Sequence, residues 1–236
     1  ILITYTIYCA YNIGMSWDES YHQEIGKINL NYLLSFGLID EPFLYKYKYS
    51  TLYWSLSSFI SQIIPKNYVL EVFHVINAFF GLMILVGLYK INKILFNRSI
   101  AKVASLFLFF IPFFFGHLAI NNKDIILAFA YVWIIYYLYK YSYFKYKFKK
   151  KLLLIFKISL LSALGTGIQL LFLGSLIPIV IIFLTIILFN KFKSLKIILT
   201  DFILFFLFFY FVLILFWVDT HSNIILMPIN LLIKSF

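Results

Sequence analysis

Residues 197–218 read IILTDFILFFLFFYFVLILFWV, and this stretch decides the fold class. One carboxylate, Asp201, interrupts it. As a helix rising about 1.5 Å per residue it is about 33 Å long, enough for the roughly 30 Å hydrocarbon core of a bilayer. Working outward, the same character recurs at 68–88, 103–118, 125–138, 152–164 and 170–189. The pattern predicts an all-α, multi-pass transmembrane helix bundle, with 103–118 kinked at Pro112. Residues 1–13 are apolar but too short to span, and read as the end of a first helix. The chain reads as a single transmembrane domain over 1–236, with that first helix and a C-terminal part truncated.

Composition agrees. The 236 residues are 64% hydrophobic and only 12% charged, with mean hydropathy +0.96, against about 25% charged in soluble domains. The net charge of +11 comes from 20 Lys and Arg against 9 Asp and Glu. The basic residues fall between apolar spans, which argues against nucleic-acid binding. The single Cys9 excludes an internal disulfide. No cleavable signal, internal repeat or soluble domain is evident.

Three lysine-rich segments follow 68–88, 125–138 and 170–189, all on one side. The positive-inside rule places that side in the cytoplasm, and the chain reads as a multi-pass protein of a cell inner membrane, in contact with membrane lipids. Seven of the nine acidic residues, all but Glu71 and Asp201, then share the opposite, outer face. Residues 14–66 form the first outer loop. Within it Ile25, Ile28 and Tyr32, and then Leu52, Leu56, Ile60 and Ile63 or Ile64, recur at helical spacing, which predicts two amphipathic helices on the membrane surface, the second closed by Pro65.

The chemistry-bearing groups sit in that outer set. Asp18 and Glu19, at a membrane face, are placed to take a proton from a nucleophile; alternatively they merely solvate a loop. Asp124 begins a span, where a carboxylate is favoured by roughly 0.3–1 kcal/mol at the helix N-terminus, or it faces Asp18 as paired carboxylates do in sugar chemistry. Lys123, and Lys46 or Lys48, are outer-face cations suited to a phosphate or to snorkelling toward headgroups. His22, His117 and His221 share this face. With the two acids they make a divalent metal possible, without any tight ligand spacing. His74, inside 68–88, reads as a packing or helix–helix hydrogen-bonding residue. Gly165-Thr166-Gly167 lacks the surroundings of a nucleotide loop and reads as a close helix contact or a break.

Trp17-Asp18-Glu19-Ser20-Tyr21-His22 after a first span resembles the Asp-Glu motif in the first outer loop of the GT-C glycosyltransferases. The similarity is to the protein O-mannosyltransferase and aminoarabinose-transferase branch. Lys48-Tyr49-Ser50-Thr51-Leu52-Tyr53-Trp54 is similar to that family's Pro-Pro-Leu-Tyr-Tyr segment, with the paired prolines replaced. Gly116-His117-Leu118 through Asn121-Asn122-Lys123-Asp124-Ile125 resembles the second outer loop, and Ala163 to Gln169 a segment where the family often has a cation in place of Gln169.

The resemblance implies inverting transfer of a sugar from a polyprenyl-phosphate carrier to a lipid, glycan or protein acceptor, on the non-cytoplasmic side. Asp18 would be the base. Glu19 and Asp124 would position acceptor and donor, Lys123 or Lys48 would hold the phosphate, and His22, His117 and Gln169 would contact substrate. A transporter or flippase of lipid-linked sugar is the rival class; the scarcity of ionisable residues deep in the spans counts against it. A non-catalytic membrane subunit is the third.

Overall fold

A computed structural model of the chain describes residues 1–39, 50–144, 146–189 and 194–234. Among these the regular structure is helical, without a strand. The α-helices are α1 (Leu2–Asn12), α2 (Glu19–Leu34), α3 (Leu52–Ser61), α4 (Val69–Leu95), α5 (Arg98–Phe110), α6 (Pro112–Ile120), α7 (Asp124–Tyr143), α8 (Phe148–Ile168), α9 (Leu171–Ser175), α10 (Ile177–Phe189), α11 (Leu195–Leu215) and α12 (Leu226–Lys234). Short 3-10 turns precede α4 and follow α11.

Five helical stretches, 66–95, 124–143, 148–168, 171–189 and 195–215, are long and apolar enough to cross a membrane. The chain is therefore a multi-pass membrane protein built as an all-α bundle. One feature departs from the sequence reading. The expected kinked span at 103–118 is two helices, α5 and α6, bent by 71° at Ile111-Pro112. Proline takes the first position of α6, where its missing N–H costs no intrahelical bond. Of the two readings of residues 165–167, the close helix contact is the one found: they close the last turns of α8 and do not break it. A Cβ on Gly165 would collide with the Phe172 ring, and one on Gly167 would sit 3.1 Å from Ser50. These glycines let α9 and the start of α3 approach α8 directly.

The core runs through α7. Ala130, Trp133, Ile134 and Tyr136 pack with Ile158 and Leu161 of α8 and with Phe172 and Leu176. On its other side Ile125 joins Ile84 of α4, Phe109 of α5 and Leu118 of α6. α4 and α7 run parallel to each other and antiparallel to α8 and α11, which gives the bundle two ends. At one, the C-terminal turns of α4 and α7 meet the N-terminal turns of α8 and α11. There Lys151 Nζ lies 2.6 Å from the buried carboxylate of Asp201, which also accepts the Tyr141 hydroxyl at 2.7 Å. This is the lysine-rich end.

The opposite end is crossed by α2 and α3. Tyr53 and Trp54 of α3 pack on Ile126 of α7 and on Leu164 and Ile168 of α8. The Thr51 N–H donates to the Phe216 carbonyl beyond α11 at 2.9 Å. The two helices lie closest at Gly26, where a Cβ would come 2.6 Å from Ser58 Oγ and 2.7 Å from the Trp54 carbonyl carbon. Toward its C-terminus α2 reaches Val218 through Ile28 and the His221 ring through Tyr32. The two amphipathic helices expected within residues 14–66 correspond to α2 and α3, and they cross this end of the bundle.

Candidate functional site

The site begins with a turn. In Ser16-Trp17-Asp18-Glu19 the Glu19 carboxylate reaches back and accepts the Ser16 N–H at 2.5 Å, one half of the reciprocal capping that Ser-x-x-Glu favours at a helix start. Its other oxygen lies 2.8 Å from Nε2 of His74, on α4. Glu19 is 3% exposed and His74 fully buried. A buried carboxylate is costly without partners, and these two groups supply them. Glu19 therefore faces inward, and its neighbour Asp18 is left at the surface, with a side chain 40% exposed.

From the other side comes the connection between α6 and α7. Asn121 Oδ1 accepts the backbone N–H of Asp124 at 2.8 Å and of Lys123 at 3.2 Å, so Asn121 caps α7. Its amide donates to Asp124 Oδ2 at 2.9 Å and lies 3.2 Å from Nδ1 of His117. This cap projects Lys123 toward α2, and its Nζ sits 3.1 Å from Asp18 Oδ2. Two segments about a hundred positions apart in the chain thus meet as a half-exposed ion pair.

Beneath the pair lies His22, 1% exposed, with Nδ1 3.7 Å from Asp18 Oδ2 and its ring stacked on Trp54 at 4.6 Å and 6°. Burial and the nearby Lys123 ammonium outweigh Asp18 and Glu19, and push the imidazole down to about 4. Deeper, the Tyr53 hydroxyl donates to Asn77 Oδ1 at 3.0 Å, and the Asn77 amide donates to the Leu118 carbonyl at 3.0 Å. Burial raises the Tyr53 phenol. This network ties α3, α4 and α6 together beneath the site.

Of the residues singled out from sequence, the structure gathers Asp18, Glu19, His22 and Lys123 directly. Asp124 and His117 join through Asn121, with the Asp124 carboxylate turned to its own cap. Gln169 is exposed just beyond α8 and has no side-chain bond among the described residues. Lys48, with Asp40, Glu41 and Lys46, lies outside the described residues. His221 stands apart, its Nε2 3.0 Å from the Ile214 carbonyl. Nearby, burial raises the Asp219 carboxyl to about 6. Among the described residues no three His, Cys, Asp or Glu side chains are arranged to hold a metal ion.

His74, read as a packing or helix–helix hydrogen-bonding residue, is the α4 partner of Glu19, whereas the stacking of Trp54 on His22 was not foreseen from sequence. Histidine within an apolar run was the only available signal for His74. No family model, curated protein or solved structure matches the chain.

Proposed function

We propose that this chain is the membrane core of a glycosyltransferase that moves a sugar from a polyprenyl-phosphate carrier to a hydroxyl acceptor, with inversion. The observation that carries the reading is the 3.1 Å pairing of Asp18 with Lys123 at one end of the bundle. It puts a base and a phosphate-binding cation within one small, half-exposed site where a membrane-borne donor can arrive.

In this mechanism the donor phosphate competes with Asp18 for Lys123, whose flexible stem lets the ammonium turn. Asp18, released, accepts the proton of the acceptor hydroxyl. The acceptor oxygen bonds to the anomeric carbon as the carbon–oxygen bond to phosphate breaks. The leaving phosphate takes that electron pair beside Lys123, where charge-assisted hydrogen bonds are strongest. Glu19, turned inward on His74, holds the turn that presents Asp18. Asp124 and Asn121 hold the loop that presents Lys123. The site face belongs, on this reading, to the non-cytoplasmic side, because the lysines gather at the opposite end.

The test is transfer of radiolabelled mannose from undecaprenyl-phosphate mannose to endogenous acceptors, by the purified chain reconstituted with membrane extract. Asp18→Asn lowers the rate by at least about a hundredfold, in line with loss of a general base. Undiminished transfer by Asp18→Asn refutes the assignment. Label accumulating in sealed vesicles without acceptor points to transport instead.

A further inference from the structure

The lysine-rich end holds a second constellation that the reaction does not use. Along one face of α7, Trp133, Tyr136 and Tyr137 form a continuous ring cluster, with centroids 5.3 to 5.6 Å apart. Three lysines from three helices converge on it. Lys90 of α4 lies 4.8 Å from the Trp133 ring and 5.6 Å from Tyr136. Lys140 of α7 lies 4.8 Å from Tyr136, and Lys157 of α8 lies 5.3 Å from Tyr137.

All three lysines are partly buried, and none meets a carboxylate among the described residues. Asp201, the acid of this end, is already held by Lys151 and Tyr141. Ring faces attract ammonium groups, but they do not neutralise three positive charges gathered in one place. Lys157 raises the demand. It stands in the third turn of α8, level with Tyr137, rather than at the helix end where a lysine reaches water easily.

We infer that Lys90, Lys140 and Lys157, on the floor of Trp133, Tyr136 and Tyr137, bind the phosphate headgroup of an anionic phospholipid. A phosphodiester supplies the missing negative charge and acceptor oxygens. The aromatic floor suits the amphipathic headgroup region, and the neighbouring helix faces suit the acyl chains. This site lies at the opposite end of the bundle from Asp18 and is independent of the reaction proposed there.

Native mass spectrometry of the chain, released from mixed micelles of phosphatidylglycerol and phosphatidylcholine, reads the preference directly. The unsubstituted chain retains phosphatidylglycerol severalfold over phosphatidylcholine. K90Q/K140Q/K157Q abolishes the preference, and K90R/K140R/K157R keeps it. K147Q/K149Q/K150Q removes the same charge from exposed lysines of that end and leaves the preference intact. If the triple Gln variant does not fold, K157Q alone lowers the preference and decides the matter. No preference in the unsubstituted chain overturns the proposal, as does equal loss in the two Gln triples or an unaltered preference in K157Q. Displacement of the lipid by millimolar inorganic phosphate overturns the choice of a lipid over a free anion.

Discussion

At the residue scale, His22 carries the most direct physical consequence. Its imidazole titrates near 6.5 when exposed and about 4 in the folded chain, chiefly because it is buried. Between those values the unfolded chain binds the extra proton and the folded chain does not. Stability therefore rises with pH across this window and is lost as pH falls from about 6.5 toward 4, by at most on the order of 3 kcal/mol. Thermal unfolding in detergent from pH 4 to 7 shows this slope for the unsubstituted chain and a shallower one for His22→Gln. The same residue marks a limit of sequence reading. His22 was legible as a member of an acidic, aromatic cluster. Its burial against Trp54 was not, because stacking across 32 positions depends on how α2 lies on α3. Likewise Asp18 and Glu19 are chemically alike in the sequence, and only the turn at Ser16 separates an outward carboxylate from an inward one.

At the scale of elements, the seam between α2 and α3 sets the geometry of the site, because α2 carries Asp18 and α3 carries Trp54. Gly26 makes this seam possible, since any side chain there meets the backbone of Trp54. Gly26→Ala destabilises the chain by about 1–3 kcal/mol, the usual cost of overpacking a tight contact. A lowered midpoint of thermal unfolding checks this, and an unchanged midpoint contradicts the close packing. Apolar periodicity made the long helices legible, and both α2 and α3 were visible from their apolar spacing. Boundaries were less so. α8 begins within the lysine run at Phe148 rather than at Leu152, because lysines are good helix formers whose ammonium groups remain solvated. The bend at Pro112 was legible as a position but not as a magnitude, since a proline can kink a helix or restart one.

At the scale of the whole molecule, charge organises the bundle. The lysines between spans and the acids of the outer loops foretold two chemically different ends, and the contacts around Asp201 and around Asp18 lie at those opposite ends. That much followed from counting spans, because each crossing reverses direction. The partnership of Glu19 with His74 did not follow. It needs the N-terminal turn of α2 to settle over α4, and nothing in local sequence specifies that contact. The pairing of Asp18 with Lys123 was legible only as a shared face, and its distance comes from the Asn121 cap and the Ser16 turn acting together. Zero-length carbodiimide coupling of the folded chain, read by peptide mass spectrometry, tests this pairing most directly. An amide joining Asp18 to Lys123, lost on unfolding before coupling, is the predicted result. Absence of that cross-link, while Lys151 and Asp201 couple in the same sample, contradicts the account.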